Sequence, residues 1–300
     1  MQTIEIGKSG QMSSRLAYGC MRLAGDNGTV EERERGKAAV RAAIESGYTL
    51  FDHADIYGAG ACEEVFGEVL AESPGVRDEL IIQSKCGIRF EDIHRYDFSK
   101  SWIVGSVENS LQRLGIEQLD LLLLHRPDYL MSLEETAAAF DELHSAGKVA
   151  AFGVSNFLPS TLSALQSATP HRLQVNQVEI NLHNIEALHN GVLDQCQAER
   201  ITPQAWCPLA GIAWEAWGNT FSVEQSARLQ AEARRQADHY GVEKWLIALA
   251  WLLRHPANIS PIIGSTTPAR IAAATAALGI DYSREDWYRL LEARNGEAVP

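Results

Sequence analysis

"LDLLLLHRPD", residues 119–128, runs four consecutive leucines into a histidine. A strand with one face in water alternates apolar and polar residues. One that is apolar throughout is covered on both faces, as in a parallel sheet flanked by helices. The polar turn at His125 then marks the strand's C-terminal end. Seven further apolar runs of strand length occur, at 16–20, 49–52, 80–86, 150–155, 173–179, 202–206 and 260–264. Segments with helical spacing separate them, at 31–46, 63–71, 101–114, 133–146, 159–167, 185–200 and 222–255. Two more follow the last run, at 268–277 and in the terminal "SREDWYRLLEAR". Strands that alternate with helices pair in parallel through right-handed crossovers. Eight such units predict an α/β fold, a closed (β/α)₈ TIM barrel with a C-terminal helix. "TIEIGKSGQMSS" reads as an N-terminal β-hairpin that plugs the barrel's bottom. A doubly wound open sheet is the competing topology, but no G-x-G-x-x-G follows the first strand.

The 300-residue chain is 46% hydrophobic, enough for a sizeable core, and no Pro/Gly/Ser-rich stretch divides it. Residues 1–300 are therefore expected to form a single barrel domain. A net charge of −13 without a long basic run argues against nucleic acid or a membrane surface as partner. A few local cations could still hold a phosphorylated small ligand. The five cysteines (Cys20, Cys62, Cys86, Cys196, Cys207) are odd in number and lack CxxC spacing. They read as reduced thiols, not as a disulfide frame or a zinc site. No apolar run approaches the roughly 20 residues of a membrane span, so a cytoplasmic protein is expected.

In a (β/α)₈ barrel the strand C-termini converge on one mouth, where catalytic groups sit. The second strand ends in Asp52 and runs on to Tyr57, the third ends in Lys85 and the fourth in His125. The fifth ends in Ser155 and Asn156, the sixth carries Asn176, Gln177 and Glu179, and the seventh ends in Trp206. A carboxylate, an ammonium, an imidazole and a phenol thus come from three adjacent strands at one end. Each alone has an ordinary structural explanation; together they make an acid–base set. A free phenol titrates near 10, and a neighbouring ammonium favours the phenolate. Lys85 is therefore expected to bring Tyr57 down into useful general-acid range. Asp52 would keep Lys85 charged, and His125 would orient a carbonyl oxygen. His53 and Asp55 fall on the other side of the backbone from Asp52 and are expected to frame the site. Gly58 and Gly60 turn the chain into a helix that starts near Ala61.

Seven short motifs occur in order: "FDHADIYGAGACEEVFGEVL", "IIQSKCG", "LDLLLLHRPD", "GKVAAFGVSNF", "NQVEINL", "AWCPLAG" and "PIIGSTTPARI". With them the chain resembles, over nearly its whole length, the aldo-keto reductases, NADPH-dependent oxidoreductases built on a (β/α)₈ barrel. "HRPD" and "PIIGSTTPARI" are similar to a bacterial branch of oxidoreductases related to the potassium channel β-subunits. The resemblance implies reduction of an aldehyde or ketone by hydride transfer. It implies Tyr57 as general acid, with Asp52, Lys85 and His125 completing a tetrad, and a small carbonyl compound as substrate. It implies that Ser155, Asn156 and Gln177 bind the nicotinamide carboxamide, which suits hydroxyl and amide chemistry. Trp206 falls where the family usually stacks a tyrosine on the nicotinamide. Cys207, Pro208 and Leu209 follow it as cofactor contacts. Cys20 and Met21 replace a threonine and an aromatic that line the nicotinamide and substrate.

After the last strand, Gly264, Ser265 and Thr266 lead into a capped helix. Thr267 is a good N-cap and Pro268 suits the first helical position, so free N–H groups there favour a phosphate. Arg270 can reach a 2′-phosphate or stack on adenine, and the resemblance makes NADP(H) the expected cofactor over NAD(H). Ala273 and Ala274 stand where many members carry Glu-Asn against adenine, which loosens that grip.

Two other readings compete. The channel β-subunits use this fold as a cofactor-binding partner, so one is a sensor module with little turnover. The other is a metal-dependent hydrolase using His53, Asp55, His125 and His183. The first strand lacks the H-x-H of metal barrels and Lys85 would repel a cation, so no metal is expected. Arg22, Arg89, Trp214 and Trp217 are candidates for the pocket rim.

Overall fold

The N-terminal hairpin comes first in the chain: β1 (Thr3–Glu5) and β2 (Met12–Ser14) pair antiparallel. This is a computed structural model, and it describes residues 1–90, 93–213 and 221–299, so Trp214 and Trp217 lie outside the described residues. Next come β3 (Ala17–Gly19), β4 (Leu50–Asp52) and β5 (Ile81–Cys86). A two-stranded ribbon follows, β6 (Ile88–Arg89) with β7 (Arg95–Tyr96); strands this short leave no periodicity to read. Then come β8 (Leu119–Leu124), β9 (Val149–Ser155), β10 (Leu173–Glu179), β11 (Thr202–Trp206) and β12 (Ser260–Ile263). Eight of these close a parallel barrel in the order β3-β4-β5-β8-β9-β10-β11-β12. The expected (β/α)₈ barrel is the observed fold.

Five helices cover the first strands: α1 (Val30–Glu45), α2 (Ala61–Glu72), α3 (Lys100–Leu114), α4 (Leu133–Ser145) and α5 (Pro159–Ala168). The rest are α6 (Val192–Glu199), α7 (Val223–Tyr240), α8 (Lys244–Leu253), α9 (Pro268–Ala274) and the C-terminal α10 (Arg284–Asn295). Three helical segments are broken or shortened relative to their apolar spacing. The run at 222–255 breaks because Gly241 takes a left-handed φ of 65° and caps α7. The run at 185–200 becomes a 3₁₀ turn, Glu186–Leu188, before α6 starts behind left-handed Gly191. The run at 268–277 passes from α9 into a second 3₁₀ turn, Thr275–Gly279.

The unbroken leucines of β8 divide between two cores. Leu121 and Leu123 point into the barrel beside Ala17, Leu50, Ile81, Val175 and Ile262. Leu122 and Leu124 join the larger layer between strands and helices. Ile6, fully buried in the inner cluster, plugs the bottom from the loop of the hairpin. Gly7 turns the chain there with φ 58°, and a Cβ would lie 2.3 Å from Gln174 Oε1. Ala17, Leu50 and Ile81 of the inner cluster open β3, β4 and β5, so the polar residues of β4 and β5 collect at the opposite end.

Candidate active site

Asp52 closes β4, Lys85 sits one residue from the end of β5, and His125 follows β8 directly. Tyr57 begins a tight turn, Tyr57–Gly60, in which Gly58, Ala59 and Gly60 all have positive φ. The turn ends where α2 starts, at Ala61, and holds the phenol over the strand ends. Lys85 is 1% exposed and Asp52 3%. An ammonium has three N–H donors and no acceptor. Lys85 Nζ donates to Asp52 Oδ2 at 2.9 Å, to the His53 carbonyl at 2.7 Å and to Tyr57 Oη at 3.1 Å. Asp52 Oδ1 lies 2.8 Å from the same nitrogen. Tyr57 therefore accepts from Lys85 and keeps its own O–H to donate elsewhere. The His125 ring stands edge-on to Tyr57, with centroids 6.0 Å apart. Its Nδ1 is enclosed without a partner among the described residues, which leaves Nε2 as the nitrogen open to a ligand.

The electrostatics correct one expectation. Burial pushes the Tyr57 phenol up, Lys85 pulls it down, Asp52 raises it again, and the net position is above the ordinary 10. Desolvation of a phenolate outweighs one nearby ammonium. Burial pulls Lys85 down, but Asp52 and Tyr57 outweigh it and hold the ammonium above its ordinary value. Burial, then Lys85 and Arg126, keep His125 well below 6.5, so the imidazole is neutral.

His53 and Asp55 lie apart from this cluster. The His53 ring is fully buried edge-on to Phe66, both nitrogens lack partners among the described residues, and burial pulls it down to about 3. Asp55 lines a side cavity of about 340 Å³ with Arg89, Trp102 and Arg113 and with none of the four clustered residues. Arg89 pairs with Asp97 at 2.7 Å and lies 3.8 Å over the Trp102 ring. Arg22 is exposed. His183 packs against Phe221, and no group of three His, Cys, Asp or Glu able to hold a metal converges among the described residues.

The residues expected around a nicotinamide are bonded to one another. Ser155 Oγ donates to the Gln177 carbonyl at 2.8 Å and accepts from Asn156 Nδ2 at 2.8 Å. Asn156 sits in the left-handed region at φ 61°, which asparagine tolerates. Trp206 Nε1 donates to Asn156 Oδ1 at 3.0 Å, a bond through the indole N–H. Gln177 Nε2 points inward, to Asp52 Oδ1 and Gln204 Oε1, both at 2.9 Å. Its Oε1 has no hydrogen bond among the described residues. Cys207, at φ 51°, turns the chain away from β11 toward Pro208 and Leu209. Cys20 is fully buried, whereas Met21 is exposed.

After β12, Thr267 occupies the N-cap of α9 but makes no side-chain cap bond. Its N–H goes to Ser265 Oγ at 3.1 Å, and the Arg270 N–H returns to the Thr267 carbonyl at 3.0 Å. Fewer N–H groups are therefore left for an anion than a simple capped helix offers. A Cβ on Gly264 would meet nothing within 4 Å, so the space beside it is open. Arg270 and Ala273 are exposed, and Ala274 is buried.

Sequence reasoning passed over two glutamines, Gln83 on β5 and Gln204 on β11. Both are fully buried and bonded beneath Asp52. Each lies two residues before a mouth residue, Lys85 or Trp206, so the strand period of two was the available signal.

Known proteins resemble the chain over nearly its whole length. A model of the Aldo/keto reductase family matches residues 15–295. A 6-dehydroglucose reductase of Agrobacterium fabrum is 38% identical over 306 residues and covers all of both chains. Oxidoreductase YdhF of Escherichia coli is 39% identical over 308 residues, again over the whole of both. An aldo/keto reductase from Klebsiella pneumoniae, solved in complex with NADP and acetate, superposes with a TM-score of 0.80 at 27% identity, covering 96% of this chain and 93% of that one.

Proposed function

The chain belongs to the aldo/keto reductase family of oxidoreductases, and on that premise we propose that it reduces an aldehyde or ketone to the alcohol with NADPH, Tyr57 serving as proton donor. The observation that carries this reading is the saturated Lys85. All three of its donors are used, one of them on Tyr57 Oη, so the phenol's own proton is free to reach a substrate oxygen. Burial keeps that proton in place at neutral pH, which is the form a donor must have. Lys85 favours the phenolate left behind when the proton moves. Neutral His125 can hydrogen-bond the same substrate oxygen through Nε2 and hold it near Tyr57.

NADPH would supply the hydride. Ser155, Asn156, Gln177 and Trp206 would hold its nicotinamide end. The unpartnered Gln177 Oε1 is an acceptor suited to a carboxamide N–H. Exposed Arg270, with Ser265 and Thr266, would hold the 2′-phosphate and favour NADPH over NADH. The relative solved with NADP supports the cofactor, and the 6-dehydroglucose reductase relative makes a hydroxyl-bearing carbonyl a natural member of any substrate panel.

The test is Tyr57→Phe. Loss of a general acid should lower kcat by about 10²–10⁴, while NADPH affinity, read by quenching of protein fluorescence, stays close to wild type. A Phe variant with wild-type kcat would sink the assignment.

A further inference from the structure

Beneath Lys85, Tyr57 and His125 lies a closed ring of side chains, Asp52 among them, that crosses the barrel lumen. Asp52 and Gln83 are register partners on β4 and β5; Gln177 and Gln204 are register partners on β10 and β11. Gln83 Nε2 donates to Asp52 Oδ1 at 2.5 Å and to Gln204 Oε1 at 2.9 Å. Gln204 Nε2 donates back to Gln83 Oε1 at 2.9 Å. Gln177 Nε2 completes the ring on Asp52 Oδ1 and Gln204 Oε1. None of the four is more than 3% exposed.

The chemistry of the ring fixes its orientation. A carboxylate only accepts, so both amides that touch Asp52 must present their NH₂ groups. Gln83 then offers its oxygen to Gln204 Nε2 and its second N–H to Gln204 Oε1. That oxygen takes a second N–H from Gln177. No amide in the ring can flip without placing two donors or two acceptors face to face in a buried site, which costs about 1–3 kcal/mol for each unmet group.

We infer that Gln83 and Gln204 are positioning residues. They lock Gln177 with its NH₂ turned inward, so that only Oε1 is offered to the nicotinamide carboxamide, and the lock is anchored on the same carboxylate that holds Lys85. Recognition of the cofactor and placement of the proton donor thus share one buried framework. This inference rests on the functional reading above.

The experiment compares NADP⁺ with its 3-acetylpyridine analogue, whose acetyl group keeps the carbonyl but lacks the amide N–H. Wild type, Gln204→Met, Gln83→Met and Gln204→Glu are titrated with each dinucleotide by protein fluorescence, and each variant is melted without ligand. Wild type should prefer NADP⁺. The two methionine variants match the shape of glutamine but cannot hold the lock, and should lose about tenfold of that preference, the scale of one good hydrogen bond. Gln204→Glu, protonated in this buried site beside Asp52, keeps the oxygen that receives both N–H groups and donates its O–H to Gln83 Oε1, and should retain the preference. Methionine variants with lower melting temperatures but an unchanged preference would mean that the ring only supports the fold, and would overturn the inference. Failure of both to fold would overturn it in the same way. Wild-type protein that binds neither dinucleotide would remove the functional reading and this inference with it, a result distinct from any difference among the variants.

Discussion

At the scale of single residues, the segment from Asp52 to Asp55 shows how burial assigns roles. Asp52 meets Lys85 and three N–H donors in all, whereas Asp55 Oδ1 is enclosed without a partner among the described residues. Burial, and then Glu63, raise Asp55 to about 7 from 3.8. The folded chain therefore keeps this proton up to about pH 7, while the unfolded chain releases it near pH 3.8. Asp55 then weakens the fold increasingly as pH rises between those values. Asp55→Asn should raise the melting temperature at pH 8 and change it little at pH 4. The gain at pH 8 is bounded by about 4 kcal/mol for a displacement of this size. Thermal melts of both proteins at the two pH values check it, and equal effects at both would contradict the assignment. The positions of Asp52, Tyr57, Lys85 and His125 were legible because polar residues at strand ends are conspicuous after apolar runs. The direction of the Tyr57 shift was not, since a list of neighbours says nothing of how much water a fold removes. Gln83 and Gln204 were missed for a related reason. Glutamine on a strand is unremarkable until the register puts it opposite Asp52 or Gln177.

At the scale of elements, helix ends and close approaches set the frame around the site. Gly67 lies in the interior of α2, where alanine ordinarily stabilises a helix by about 1 kcal/mol. Here a Cβ would lie 2.5 Å from the Arg113 carbonyl and 2.9 Å from the Leu114 carbonyl at the end of α3. Those are backbone atoms that cannot turn aside. Gly67→Ala should therefore reverse the usual sign and destabilise by about 1–3 kcal/mol, seen as a lower urea midpoint. A neutral or stabilising result would mean that α2 and α3 pack less tightly than the structure shows. The apolar spacing that located the helices carried no information on where left-handed residues interrupt them. Gly191 and Gly241 end or delay helices that periodicity alone continues.

At the scale of the whole molecule, the fold was the most legible property. Eight apolar runs separated by helical segments admit few topologies, and the closed barrel is the one in which the leucines of β8 are buried on both faces. The hairpin plug was legible from its glycines. The ribbon of β6 and β7 was not, because two residues per strand leave no pattern. A barrel closed at the bottom by Ile6 and lined there by apolar side chains holds the buried Asp52–Lys85 pair at one mouth, and that mouth carries the claim of carbonyl reduction. The most direct measurement incubates wild-type protein with NADPH deuterated at the transferable position of the nicotinamide and with a panel of aldehydes, ketones and oxidised sugars, and follows cofactor absorbance and product mass together. The account predicts stoichiometric loss of NADPH and an alcohol that carries one deuterium on the former carbonyl carbon. Tight NADPH binding with no carbonyl consumed anywhere in the panel would contradict it and identify a cofactor-binding module instead.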